Sequence, residues 1–136
     1  MTGQLVVIGC GAAKLDRPAP AADLYVGSYF RLALAAALQL ADRADVVVLS
    51  ARHGLLGLGD VVAPYDLTMG QPGSVTVQQL AHQAAALQLL GRPVLALCSR
   101  RYAALLQLVW ADVATPLSGL GIGYQRQALA RLRDQG

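Results

Sequence analysis

Short β-branched runs alternate with Ala- and Leu-rich stretches along the whole chain, and this alternation limits the possible folds most. QLVVIGC (4–10), DVVVLS (45–50), PVLALC (93–98) and VATPLSG (113–119) read as strands, the last one short or at an edge because Pro116 interrupts it. Between them, residues 29–44, 76–90 and 99–112 are helical by propensity, and a closing helix starts near Gly121–Gly123. Thr76 and Gln79 have capping-box spacing, and Gly91 is placed to end that helix. The strand runs lack polar alternation, so both their faces are buried. The expectation is an α/β fold: a three-layer α/β/α sandwich around a four-stranded parallel sheet of order 2-1-3-4. Residues 1–136, with 55% hydrophobic and 14% charged side chains, suffice for one domain with a real core and exclude a disordered chain.

Charge and cysteine usage narrow the partners. Eleven Lys and Arg against eight Asp give +3, with Lys14 the only lysine and no glutamate anywhere. That balance is compatible with phosphate-bearing partners without establishing one. Two distant cysteines are not a secreted disulfide framework, and no secretory leader precedes the first strand, so a cytoplasmic protein is expected. LALAAALQLA is too short to span a bilayer, so no membrane partner is expected. Two Cys and two His without paired spacing do not form a metal set, and no cofactor is expected.

A parallel sheet gathers the carboxyl ends of its strands on one rim, where ligands bind. Here those ends are polar and rich in glycine. Strand one exits through Cys10, Gly11 and Lys14, and strand two through Ser50, Arg52, His53 and Gly54, then Tyr65 and Asp66. Strand three exits through Cys98, Ser99, Arg100, Arg101 and Tyr102, and strand four through Ser118, Gly119, Gly121 and Gly123. Each has a plain structural reading beside the functional one. GCGAAK is a phosphate- or base-binding turn, or only a turn. Lys14 is a point-charge donor or nucleophile, or a solubilising side chain. GLGIG ahead of a helix is an anion site or a close-packing device. Arg100 clamps phosphate or solvates a helix turn. Asp66 contacts a base edge or activates water, or caps a turn. Tyr65 stacks on a planar ligand or packs. The stretch 50–70 is read as a long functional loop folding back over strands one and two, with Gly54, Gly57 and Gly59 giving it freedom and Arg52, Asp66 and Lys14 facing one cavity. Cys10 and Cys98 are expected side by side at the ends of adjacent strands.

Four blocks carry a resemblance: C-G-x-x-K at 10–14, L-Y-x-G-x-x-F at 24–30, S-A-[basic]-x-G-L at 50–55 and P-Y-D-L-T at 64–68. The chain resembles, over nearly its whole length, a family of small bacterial and phage domains of unknown function. It is similar, more distantly, to the uracil-DNA-glycosylase-like core of archaeosine synthase. The resemblance implies a uracil-DNA-glycosylase-like sandwich and a site for a nucleobase, nucleoside or base in nucleic acid, at Cys10, Lys14, Tyr25, Ser50, Arg52, Gly54, Tyr65 and Asp66. His53 falls at a position the block leaves open. The glycosylases' second-half histidine motif is missing, since TPLSG stands there without His, so uracil excision is not carried over.

The leading functional expectation is therefore an enzyme acting on a nucleobase or its N-glycosidic bond, without a metal. Asp66, Lys14 and Arg52 are the candidate catalytic groups. Tyr25 or Tyr65 would stack on the base, and Cys10, Gly11, Ser50, Gly54, Ser99, Arg100, Ser118, Gly119 and Gly121 complete the candidate binding set. The partner would be a nucleoside, a nucleotide, or nucleic acid with a single-stranded or flipped base. Two competing readings are a non-catalytic nucleotide or nucleic-acid sensor and a homo-oligomeric assembly module, its dimer face formed by LALAAALQL and LAHQAAALQLL.

Overall fold

The structure, a computed structural model, describes residues 3–135; Met1, Thr2 and Gly136, included in the expected 1–136 domain, lie outside them. It is a mixed α/β fold with five helices and a five-stranded, mostly parallel sheet. The central strand β1 (Leu5–Gly9) is wholly buried. It pairs in parallel with β3 (Val46–Ser50) on one side and β6 (Val94–Leu97) on the other. β6 continues in parallel to the two-residue β7 (Val113–Ala114). The expectation of four strands, all parallel, is corrected at the other edge. There β4 (Gly54–Gly57) folds back antiparallel on β3, with Ser50 opposite Gly54, and the sheet order is β4-β3-β1-β6-β7. GLLG is too short and glycine-bounded to announce a strand by pattern, and only its pairing with β3 makes it one.

Period-two alternation along β1 and β3 sends side chains to two separate cores. Val6, Ile8, Val46 and Val48 face α2 (Ser28–Leu40) and α5 (Ile122–Asp134), meeting Phe30, Ala33, Ala36, Ala37 and Leu129. The alanines of α2 let α5 approach closely. Leu5, Val7, Val47 and Leu49 face α3 (Val77–Ala86) and α4 (Arg100–Gln107), meeting Leu80, Ala84, Ala103 and Leu106. Each such fully buried leucine contributes roughly 1.5–3 kcal/mol relative to exposure. Trp110 closes the second core and donates its indole N–H to the Leu89 carbonyl at 3.0 Å.

Two stretches read as loops carry further structure. Residues 10–28 include β2 (Ala19–Pro20) and the single turn α1 (Ala21–Leu24). Residues 50–70 include β4 and then β5 (Val61–Val62), which pairs antiparallel with β2. The two segments are thereby tied to each other beyond the sheet rim. The capping box forms as the sequence suggests, with the Thr76 hydroxyl accepting from Gln79 N–H and the Gln79 side chain accepting from Thr76 N–H. The end of α3 is different from expectation. Gly91 does not end it. Gln88, at φ +59°, takes the left-handed position, with Leu89 N–H bonding the Ala84 carbonyl and Gln88 N–H the Ala85 carbonyl. α2 likewise stops at Leu40, and a 3₁₀ turn, Arg43–Asp45, leads into β3. Among the described residues no helix is long and apolar enough to cross a membrane.

Candidate functional site

The site starts from one buried hydroxyl. Ser50 ends β3 with no solvent exposure. Its Oγ accepts from His53 N–H at 3.1 Å and lies 2.7 Å from the Tyr65 hydroxyl. The Tyr65 hydroxyl is also 2.7 Å from that of Tyr25, which is itself closed to solvent. Three hydroxyls thus form a chain in which Tyr65 donates to one neighbour and accepts from the other. Burial is the main reason the Tyr65 and Tyr25 phenols are pushed above their ordinary range, with charge at Cys10 adding to it at both. Both are therefore neutral at physiological pH and act as hydrogen-bonding groups, not phenolates.

Lys14 reaches this chain through local backbone pairing. Residues 13–15 lie antiparallel to 24–26, with Leu15 N–H on the Leu24 carbonyl at 2.9 Å and Val26 N–H on the Ala13 carbonyl at 3.0 Å. That places the Lys14 ammonium 4.3 Å from the Tyr65 ring centroid and 5.7 Å from that of Tyr25. The same Nζ donates to the Ala12 carbonyl at 3.3 Å. The His53 ring meets Tyr65 edge-on, with centroids 5.5 Å apart. Burial first, and Arg52 second, pull the His53 pKa below its ordinary value.

Tyr65 forms one wall of a cleft of about 430 Å³, shared with Arg52, His53, Val61, Val62, Pro64 and Asp66. That volume lies in the range of small-ligand sites, about 300–1,000 Å³. Arg52 and Asp66 are exposed, and neither makes a hydrogen bond or ion pair to any described residue. So Asp66 does not cap a turn here, and Arg52 and Asp66 do face one cavity. Lys14 stands over Tyr65 but does not line that cavity.

Several candidate positions have a different role from the one expected. Tyr25 and Ser50, closed to solvent, support Tyr65 and cannot themselves touch a ligand. Gly54 is buried at φ +73°, where a Cβ would collide with the Gln83 Oε1, so it shapes a turn. Gly57 and Gly59 have no such positive φ, and Gly54 alone of the three requires glycine. Gly11 packs near Phe30. Ser99 precedes α4 without a side-chain cap bond, and Arg100 is exposed in its first turn. Ser118, Gly119 and Gly121 lead into α5, where Gly121 borders a separate groove with Tyr124. No hydrogen bond joins these five residues to the Tyr65 chain among the described residues.

The thiols are also offset. A Cβ on Gly9 would lie 3.4 Å from the Cys98 Cβ, so Gly9, not Cys10, faces Cys98 across the strand pair. Both thiols are free. Burial pushes Cys98 up to about 12. Cys10 Sγ accepts from Ala51 N–H at 3.4 Å and meets the Tyr102 hydroxyl at 3.3 Å. Among the described residues no three His, Cys or Asp side chains gather as a metal set.

Two residues of the site lie outside the expected set: Tyr102, although it stands at the strand-three exit, and Gln83. Tyr102, on the first turn of α4, reaches Cys10. Gln83, from the middle of α3, donates to the His53 carbonyl at 2.8 Å and accepts from Leu55 N–H at 2.9 Å, bracketing Gly54. Its only mark in the sequence is i+4 spacing from Gln79 on one helix face.

Fold and site together define a mixed α/β domain whose polar groups collect where β1 and β3 end. The chain belongs to DUF6884, a family of unknown function, which it matches over residues 5–131. No curated protein matches it.

Proposed function

We propose that the Arg52–Asp66 cleft receives a nucleobase, and that the protein acts on that base or its N-glycosidic bond. The observation that carries this reading is a carboxylate, Asp66, without a partner among the described residues, which shares with the Arg52 guanidinium a cleft also lined by Pro64 and Tyr65. A flat heterocycle fits against Pro64 and Tyr65. Asp66 would then accept N–H from the polar edge of the base, or hold a water for attack at the sugar carbon. Arg52 holds phosphate or stabilises developing negative charge, and Lys14 contributes positive potential through Tyr65. In a polynucleotide the base must be single-stranded or flipped to enter. The parallel strands in the order β3-β1-β6-β7, with helices on both faces, support a glycosylase-like sandwich of strand order 2-1-3-4.

One observation favours the runner-up, a non-catalytic nucleotide sensor. Asp66 is exposed and no described residue orients it, whereas a water-activating base is normally held in place. Titration calorimetry with nucleosides and nucleotides tests the shared claim of both. Asp66→Asn should weaken binding about tenfold, as expected for loss of a charged hydrogen-bond partner. Equal affinity in wild type and variant would place the ligand elsewhere.

A further inference from the structure

A second hollow of about 240 Å³ lies on the far side of the Arg52–His53 wall, between the β3–β4 turn and α3. Arg52, His53, Gln79, His82 and Gln83 line it with Val75. It therefore holds both histidines of the chain and an arginine, and no carboxylate lines it. The donors are free to act. Arg52 and His82 are exposed and bond no described residue through their side chains, and the His53 imidazole bonds none either. Gln79 uses its oxygen in the capping box, which leaves its amide N–H₂ available. Gln83 is held by the turn and fixes the wall between the two hollows.

We propose that this hollow is a phosphate subsite, and that the ligand is a nucleotide or nucleic-acid strand with its base in the neighbouring cleft. The inference rests on the nucleobase reading of that cleft and adds the chemistry of the second group. A guanidinium, a ring N–H from each of two imidazoles and a free amide N–H₂ form a donor-rich lining without a carboxylate, which suits an oxyanion. Arg52 touches both hollows, so it would bridge phosphate and base. The charged and titratable groups facing the subsite are Arg52, His53 and His82, with Asp66 across the wall.

The test is NMR of the imidazole resonances during titration with inorganic phosphate, a nucleoside, its 5′-monophosphate and a short single-stranded oligonucleotide. Phosphate alone should move the His53 and His82 signals. His82→Gln should weaken phosphate and monophosphate binding about fivefold, the scale of one hydrogen-bond contact, and leave nucleoside binding unchanged. A stronger response to the monophosphate than to the oligonucleotide assigns a terminal phosphate, and the reverse assigns a backbone phosphodiester. If nucleosides bind the cleft as tightly as monophosphates and phosphate moves neither imidazole, the subsite is refuted while the base reading stands. If phosphate moves both imidazoles but nucleosides do not bind, the anion site stands and the base reading fails.

Discussion

Tyr65 has a hydroxyl between two partners closed to solvent, and that makes it the most connected side chain of the site. Tyr65→Phe leaves the buried Tyr25 hydroxyl without a partner and removes one from Ser50. The expected cost is about 1–3 kcal/mol of stability, read by urea denaturation. Tyr25→Phe leaves the Tyr65–Ser50 bond in place and should cost only about 0.5–1.5 kcal/mol. The double variant should cost less than the sum, because both changes remove the same bond. Additive losses would show that the hydroxyls act independently. Asp66 and Lys14 are the opposite case. Asp66 makes no bond to a described residue, and Lys14 bonds only the nearby Ala12 carbonyl. Asp66→Asn and Lys14→Ala should each change stability by no more than about 0.5 kcal/mol while lowering ligand binding. An early-unfolding Asp66→Asn with unaltered binding would make that carboxylate structural.

At the scale of elements, the β3–β4 turn is held from outside by α3. Gly54→Ala places a methyl at φ +73° and against Gln83. Removing the clash with Gln83→Ala should restore only part of the loss, since the left-handed strain of roughly 1 kcal/mol remains. Full restoration in thermal melts would show that the backbone strain is unimportant. At the other end of α3, Gln88→Gly should stabilise the fold by several tenths of a kcal/mol, because glycine adopts the left-handed C′ position without strain. These two turns also show what the sequence could convey. The strands β1 and β3 were legible as buried β-branched runs and β6 as a short apolar run set off by Arg92-Pro93 and Ser99, and the capping box was legible because its chemistry is local. β4, β2 and β5 were not, since GLLG, AP and VV become strands only by meeting their partners. Lys14, Arg52, Tyr65 and Asp66 stood out as scarce polar groups at strand exits. Gln83 did not, because its role depends on α3 lying against a turn thirty residues away in sequence.

For the whole molecule, the tyrosines couple the fold to alkaline pH. Burial raises Tyr25, Tyr65 and Tyr102 above the ordinary phenol range and Tyr29 to about 12. A raised folded pKa contributes stability that is complete below the unfolded value near 10 and lost as pH rises beyond it. Stability should therefore fall above about pH 10, with phenolate absorbance at 295 nm appearing together with unfolding. Ionisation of these four near pH 10 while the far-ultraviolet circular dichroism stays native would contradict their raised pKa values. Two clefts lie beside β3 and β4, on either side of Arg52 and His53. The most direct measurement is mass-spectrometric detection of free base after incubating the protein with nucleosides, nucleotides and modified single-stranded oligonucleotides. Wild type should release free base, and Asp66→Asn should reduce that release at least about tenfold. Binding of the same ligands with no base released from any of them would contradict the enzyme reading and leave a sensor.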